Sequence, residues 1–357
     1  MFTLASLPRA VVGAPMAGGP STPALAAAVS NAGGLGFLAA GYKDAGAVAA
    51  EIARVRQLTP RPFGVNLFVP DQANTGGTGT SGRVAAALAY REQLAREYPQ
   101  YPPDLLPLPD PEDDDGWDAK LELVHRLQVP VVSFTFGLPG QDVMAALTEA
   151  GSAVAVTVTT VEEAALAVSA GARMLCLQGP EAGGHRGTFN AAGEPPAQPL
   201  AELVRAVRAA AGPGVELIAA GGIGAAADAQ ALRGAGADAV QIGTALLLSP
   251  EAGTSPVHRA ALQDPQFRAT ALTRAFSGRT ARGLANRFMA EHPDAPAAYP
   301  LVNQVTKTLR AKAAAAGDPH GMSLWAGTDW RSAVPQPAAE TVERISAGWP
   351  PRPAGAG

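Results

Sequence analysis

Glu216-Leu217-Ile218-Ala219-Ala220-Gly221-Gly222-Ile223-Gly224 runs into the Ala-rich stretch Ala225–Ala235, then Gly236, then Ala239-Val240-Gln241-Ile242-Gly243-Thr244. The spacing predicts a buried strand, a glycine turn, a helix closed by glycine and a second buried strand. The same unit recurs along the chain. Further strands are expected at Val11–Ala14, Leu35–Ala39, Phe63–Val69, Val129–Phe136, Ala153–Val158 and Met174–Leu177. Between them lie the helical patterns Pro23–Ala32, Ala45–Leu58, Gln141–Ala150, Val161–Ala170 and Pro199–Ala211. The strands are continuously apolar, as strands covered on both faces must be. Eight strands with intervening helices give an α/β chain, read as a (β/α)8 TIM barrel, with an open doubly wound sheet as the alternative.

Two regions break the repeat. Residues 71–118 form an excursion after the third strand, with the glycine-rich run Gly76–Gly82, a helical piece at Val84–Glu97 and the acidic run Glu112-Asp113-Asp114-Asp115, read as a solvated surface. A connection this long is a functional loop or a disordered one. Residues 264–330 follow the last strand and carry the polar patterns Ala281–Glu291 and Leu301–Ala315, expected as a mainly helical cap. The barrel then comprises 1–70 and 119–263, and 331–357 is a tail whose Pro/Gly/Ala end is expected to be disordered.

Of the 357 residues, 47% are hydrophobic and 16% charged, so a large core is possible and global disorder is excluded. A net charge of -4 without a basic cluster speaks against a nucleic-acid surface. The single cysteine, Cys176, falls inside an expected strand, which leaves neither a disulfide framework nor a thiolate metal site. No membrane-spanning or signal-like segment is read, so a cytoplasmic location is expected.

The chemistry-bearing residues gather at expected strand ends, the edge where parallel α/β proteins bind ligands. Gly221-Gly222-Ile223-Gly224 and Gly243-Thr244 follow the last two strands; they are either tight turns or a backbone cradle for phosphate, and their consecutive placement favours phosphate. Pro15-Met16-Ala17-Gly18-Gly19 after the first strand is either an ordinary βα turn or a seat for a flat ring, with Ser21 or Thr22 capping the next helix. Asn66, Gln178 and Gln241 put lone amides in apolar strands, where each needs the backbone or a ligand as partner. Gln178-Gly179-Pro180-Glu181-Ala182-Gly183-Gly184-His185-Arg186-Gly187 places an imidazole past the sixth strand, suited to proton transfer or to an anionic substrate. His125, His258, His292 and His320 are read as surface residues.

These stretches, with Val132-Ser133-Phe134-Thr135-Phe136-Gly137, resemble the nitronate monooxygenases (2-nitropropane dioxygenases), in particular the bacterial class I enzymes, from Ala14 to about Trp325. The resemblance implies bound FMN, contacted by Pro15 and Met16 near its ring, by Asn66 and Gln178, and by Gly183 and Gly184. It puts the phosphate on Gly221, Gly222, Gln241, Gly243 and Thr244. It makes His185 the active-site residue, sets Tyr299 over the substrate and has Lys307 offer a positive charge to an anionic one. Alkyl nitronates, propionate 3-nitronate among them, and dioxygen are the implied partners of a monomer or homodimer. Leu324-Trp325-Ala326-Gly327 continues as Thr328-Asp329-Trp330, a departure from the Gln-Gly or Gln-Ser of the pattern. The rival readings are an FMN-dependent enoyl-thioester reductase on the same barrel, a flavin-free phosphate-binding aldolase or isomerase, and a non-catalytic flavin or phosphate-ligand binder.

Overall fold

The structure, a computed structural model, describes residues 1–70, 78–99 and 106–349. Its strands are β1 (Val11–Gly13), β2 (Gly36–Ala39), β3 (Phe63–Phe68), β4 (Val131–Thr135), β5 (Ala153–Val158), β6 (Met174–Gln178), β7 (Gly184–His185), β8 (Glu216–Ala220), β9 (Ala239–Ile242), β10 (Thr270–Thr273) and β11 (Ala281–Leu284). All but β7, β10 and β11 lie side by side in the parallel order β1-β9-β8-β6-β5-β4-β3-β2. The ring closes where Val12 meets Leu35: Gly13 N donates to Leu35 O at 2.9 Å, and Leu35 N to Val11 O at 3.0 Å. Closure decides for the barrel and against the open sheet.

The helices are α1 (Pro23–Asn31), α2 (Ala45–Leu58), α3 (Thr78–Glu97), α4 (Trp117–Arg126), α5 (Gln141–Glu149), α6 (Val161–Ser169), α7 (Leu200–Ala211), α8 (Ala226–Gly234), α9 (Pro256–Gln263), α10 (Arg287–Glu291), α11 (Leu301–Ala315) and α12 (Ala338–Ser346). Their starts are chemically marked. Thr22, Asp44 and Thr160 accept from the backbone N–H groups of Leu25, Ala47 and Glu163, satisfying donors that a helix leaves open. Of the two capping candidates Thr22 is the cap, while the Ser21 Oγ accepts from Met16 N at 2.8 Å and pins the turn after β1.

Chain 331–349 is more than a tail. Ala338, Val342 and Ile345, at helical spacing, bury one face of α12 in the barrel core together with Trp349, and α12 packs against α1 and α8. Arg344 Nη1 donates to Gly224 O, tying this helix to the turn after β8. Residues 350–357 lie outside the described residues, as do Gly76 and Gly77 of the glycine run. The rest of that run belongs to α3, which begins at Thr78 rather than Val84.

The cap is helical and stranded together. Ala281–Leu284, expected as helix, is strand β11, and only Arg287–Glu291 of that pattern is helical. β11 pairs antiparallel with β10 on one side and with β7 on the other. Below it, α3, α10 and α11 share a separate core around Tyr90, Leu94, Phe276, Phe288 and Val305. The acidic run is only partly solvated. Asp115 accepts from Tyr42 N at 2.8 Å and pairs at 2.8 Å with Lys120, whose side chain is 2% exposed. Burial pushes the Asp115 carboxyl up.

The placement of α12 is testable. Ile345→Ala removes buried methylenes and should cost about 2–4 kcal/mol, whereas Val334→Ala, at a side chain 40% exposed, should cost no more than about 0.5 kcal/mol. Urea midpoints of the two variants measure the difference; equal midpoints would place α12 off the core.

Candidate active site

The carboxyl ends of the barrel strands and the underside of the cap enclose a cavity of about 940 Å³, at the upper end of the range for small-molecule sites. Its floor is built by the strand-end residues singled out above. Pro15 and Met16 line it from the turn after β1, and Asn66 from β3. Asn66 Nδ2 donates to Ser133 O at 3.2 Å, Ser133 Oγ at 2.9 Å and Thr135 Oγ1 at 3.0 Å. Its donor end is thereby braced by β4, and its carbonyl oxygen accepts from no protein donor among the described residues. Gln241 lines the cavity from β9 and contacts Cys176 beside it. Burial pushes the Cys176 thiol up to about 12, so it stays protonated.

Gln178 serves the loop. Its Nε2 donates to His185 O at 3.0 Å and its Oε1 accepts from Gly187 N at 2.8 Å. One amide thus closes both sides of the turn that carries the imidazole. Gly183 has no room for a side chain: a Cβ there would lie 2.5 Å from the backbone of Ala326 and Gly327. Gly184 has open space around it but a φ of 75°, a left-handed conformation that favours glycine. These two residues let β7 pass under the 324–328 segment and pair with β11, Gly184 opposite Arg282 and His185 opposite Ala281.

At the ends of β8 and β9, Gly221, Gly222, Gly243 and Thr244 line the same cavity. The N–H groups of Gly222, Gly243 and Thr244 donate to no protein acceptor among the described residues. Helix α8 itself adds less than its sequence promised, because Asp228 already accepts from Gly224 N at 3.0 Å and Ala225 N at 2.8 Å. Three open donors on two adjacent turns remain a fit for an anionic oxygen cluster such as phosphate. The departure after Gly327 leaves this arrangement intact, because the segment reaches the site through its backbone. Gly327 N donates to Thr244 Oγ1 and Thr328 N to Glu181 O, both at 3.0 Å.

His185 stands in an aromatic surround. Ring centroids of Phe136, Tyr299 and Trp325 lie 5.9, 5.8 and 5.2 Å from its own, and its Nε2 is 2.8 Å from Ser277 Oγ. Withdrawal from water, and then the positive charges of Arg279 and Arg310, push its pKa down to about 3. The imidazole is therefore neutral at neutral pH. Tyr299 is buried behind the wall, its hydroxyl 3.2 Å from that of Tyr42, and it is Tyr42 that faces the cavity. Lys307 lines the mouth and is exposed.

Several wall residues went unread in the sequence. Tyr42 and Phe136 both adopt left-handed backbone angles, with φ of 66° and 80°, strain of about 1–3 kcal/mol each that clusters at functional sites. The Arg279 guanidinium stacks 4.1 Å over Phe136. Of the four histidines read as surface, His125 is exposed, but His258 and His292 are buried. His258 lines the cavity with its pKa lowered to about 4 by burial. His292 joins α10 to α3, with Nδ1 2.8 Å from Phe288 O and Nε2 2.7 Å from Glu97 Oε2.

Comparison with known proteins converges on one family. A family model described as nitronate monooxygenase matches residues 4–348. The nitronate monooxygenase of Pseudomonas aeruginosa is 41% identical over 355 residues, covering 96% of each chain. A probable nitronate monooxygenase of Bacillus subtilis is 36% identical and covers 92% of each. Among solved structures, a nitroalkane oxidase from Streptomyces ansochromogenes superposes with a TM-score of 0.87 at 47% identity, over 97% of this chain and 96% of that one. FabK from Thermotoga maritima gives a TM-score of 0.71 at 25% identity, over 97% and 94%. The chain belongs to the nitronate monooxygenase family and is a flavin-dependent monooxygenase.

Proposed function

We propose that the flavin is FMN and that the protein oxidises alkyl nitronates with dioxygen, releasing nitrite and a carbonyl compound. The observation that carries this reading is the pairing of two features in one cavity. Three backbone N–H groups without acceptors stand at one end, and a neutral imidazole in an aromatic wall stands at the other. Bound FMN would supply the redox chemistry, taking electrons from the nitronate and passing them to dioxygen. The protein's own residues bind, orient and exclude water. Gly221, Gly222, Gln241, Gly243 and Thr244 would hold the phosphate end. Pro15, Met16, Asn66, Gln178, Gly183 and Gly184 would border the ring, with the Asn66 oxygen open to a ring N–H.

His185 would position the substrate. A conjugate acid near pH 3 makes it a weak base, so the geometry favours a preformed nitronate over a neutral nitroalkane. Tyr299 would support the substrate wall from behind through Tyr42, and Lys307 at the mouth would suit a nitronate carrying a further carboxylate, such as propionate 3-nitronate. The likeness to FabK fits the rival reading, a reductase on the same barrel that consumes NAD(P)H.

The purified protein should be yellow, and nitronate under air should release nitrite. A colourless preparation that riboflavin 5′-phosphate cannot reconstitute would overturn the cofactor, while rapid anaerobic bleaching by NADH would favour the reductase. Gly222→Ala would bring a Cβ to 2.9 Å from Glu181 and should weaken FMN binding about tenfold, read by fluorescence titration of the apoprotein. His185→Asn should keep FMN but lose about 10²-fold in kcat/KM on preformed nitronate; unchanged turnover would remove His185 from the reaction. Because the imidazole protonates only near pH 3, the wild-type kcat/KM for nitronate should show no inflection around pH 6.5, which a rate profile from pH 5 to 8 checks.

A further inference from the structure

A neutral His185 leaves the charge of an anionic substrate to another group, and Arg310 on α11 lines the cavity. Its Nε donates to Thr306 Oγ1 at 3.1 Å, and its Nη2 donates to Asn303 O at 2.9 Å and Asn303 Oδ1 at 2.8 Å. These bonds fix the plane of the guanidinium and leave Nη1 without a protein acceptor among the described residues. No carboxylate there pairs with it either. The other charged groups on the wall are mostly matched: Lys43 by Glu51 at 2.7 Å and Asp115 by Lys120 at 2.8 Å. Asp113 accepts from Gln304 Nε2 at 3.0 Å, and Asp110 from Glu112 N at 2.9 Å. Lys307 lies one helical turn away at the mouth, exposed to water.

Arg279 is differently placed. It lies behind Phe136, and its Nη1 donates to Arg186 O at 3.2 Å and Thr188 O at 2.8 Å. Burial works against the charge of Arg310, and only the Tyr42 phenol offsets it. Arg310 is half-buried; a guanidinium partly withdrawn from water without a counter-ion carries a cost, and the cost falls when an anion arrives. A nitronate spreads its charge over two coplanar oxygens, which suits the planar donor set of a guanidinium.

We propose that Arg310 is the anion-binding residue of the substrate site, its Nη1 taking an oxygen of the nitronate group, with His185 contributing shape and polarity but no charge. The inference rests on the nitronate reading above. It predicts that affinity follows a cation that does not titrate between pH 6 and 8.5.

The test uses the FMN-loaded protein with preformed ethyl nitronate and with propanoate, a planar anion, against propanamide, its neutral counterpart. Arg310→Gln should raise KM about 30-fold with kcat within about threefold, and Arg310→Lys should recover part of the loss. Wild-type KM should stay flat from pH 6 to 8.5, and propanoate should compete while propanamide does not. A KM within twofold of wild type in Arg310→Gln, or equal inhibition by the two probes, would overturn the assignment. Should Arg310→Gln not fold, Arg310→Lys and the two probes on wild type decide the same question. If the wild type oxidises no nitronate, the functional reading fails by itself, and calorimetry with propanoate still decides whether Arg310 binds an anion.

Discussion

The backbone pairing between β7 and β11 is the contact on which the rest of the site depends. It joins a loop leaving the barrel after β6 to a strand that arrives about a hundred residues later. Without it, His185 would sit on an open glycine loop. With it, the imidazole is fixed beside Ser277 and beneath three rings. The glycines on either side of this contact have separate reasons. Gly183 clears the backbone of Ala326 and Gly327, and Gly184 supplies the backbone angle that turns the chain into the pair. The Gln178 amide then secures the loop from below.

The barrel and the cap divide the chemistry. The barrel contributes backbone: open N–H groups at the ends of β8 and β9, kept in place by Asp228 and by α12 through Arg344. The cap contributes side chains that exclude water and carry charge, namely Ser277, Arg279, Tyr299, Lys307 and Arg310. A low-dielectric wall strengthens any charge held against it. The same withdrawal from water, and after it the two nearby guanidinium groups, keep the imidazole neutral.

The barrel was legible because its strands are buried on both faces and five of its helices close on Ala-Gly, so period and punctuation agree along most of the ring. The strand-end residues of the cavity floor were legible for the same reason, since their position follows from the fold. The cap was harder to read. Ala281-Arg282-Gly283-Leu284 gives no local sign of being a strand, because its partners Gly184 and His185 are remote in sequence. Helix α12 reads as a tail because it follows the last barrel strand and precedes a Pro/Gly/Ala end, although Ala338, Val342 and Ile345 are spaced as one helical face. Tyr42, Phe136 and Arg310 come from three separate elements, and nothing in the sequence brings them together. The only local hint was that Arg310 follows Lys307 by three residues on one helix. Asp115 looked solvated because a run of acids usually is; its partner Lys120 lies on the next helix.

The protonation state of one imidazole decides between a site that meets its substrate with a titrating base and one that meets it with a fixed cation. Carbon-13 and nitrogen-15 NMR of histidine-labelled protein measures this directly, with the His185 signals identified by their loss in His185→Asn. Ring shifts that stay at neutral-imidazole values from pH 8 down to pH 5 are the expected result. A transition centred near pH 6.5 would contradict it and return the charge of the site to His185.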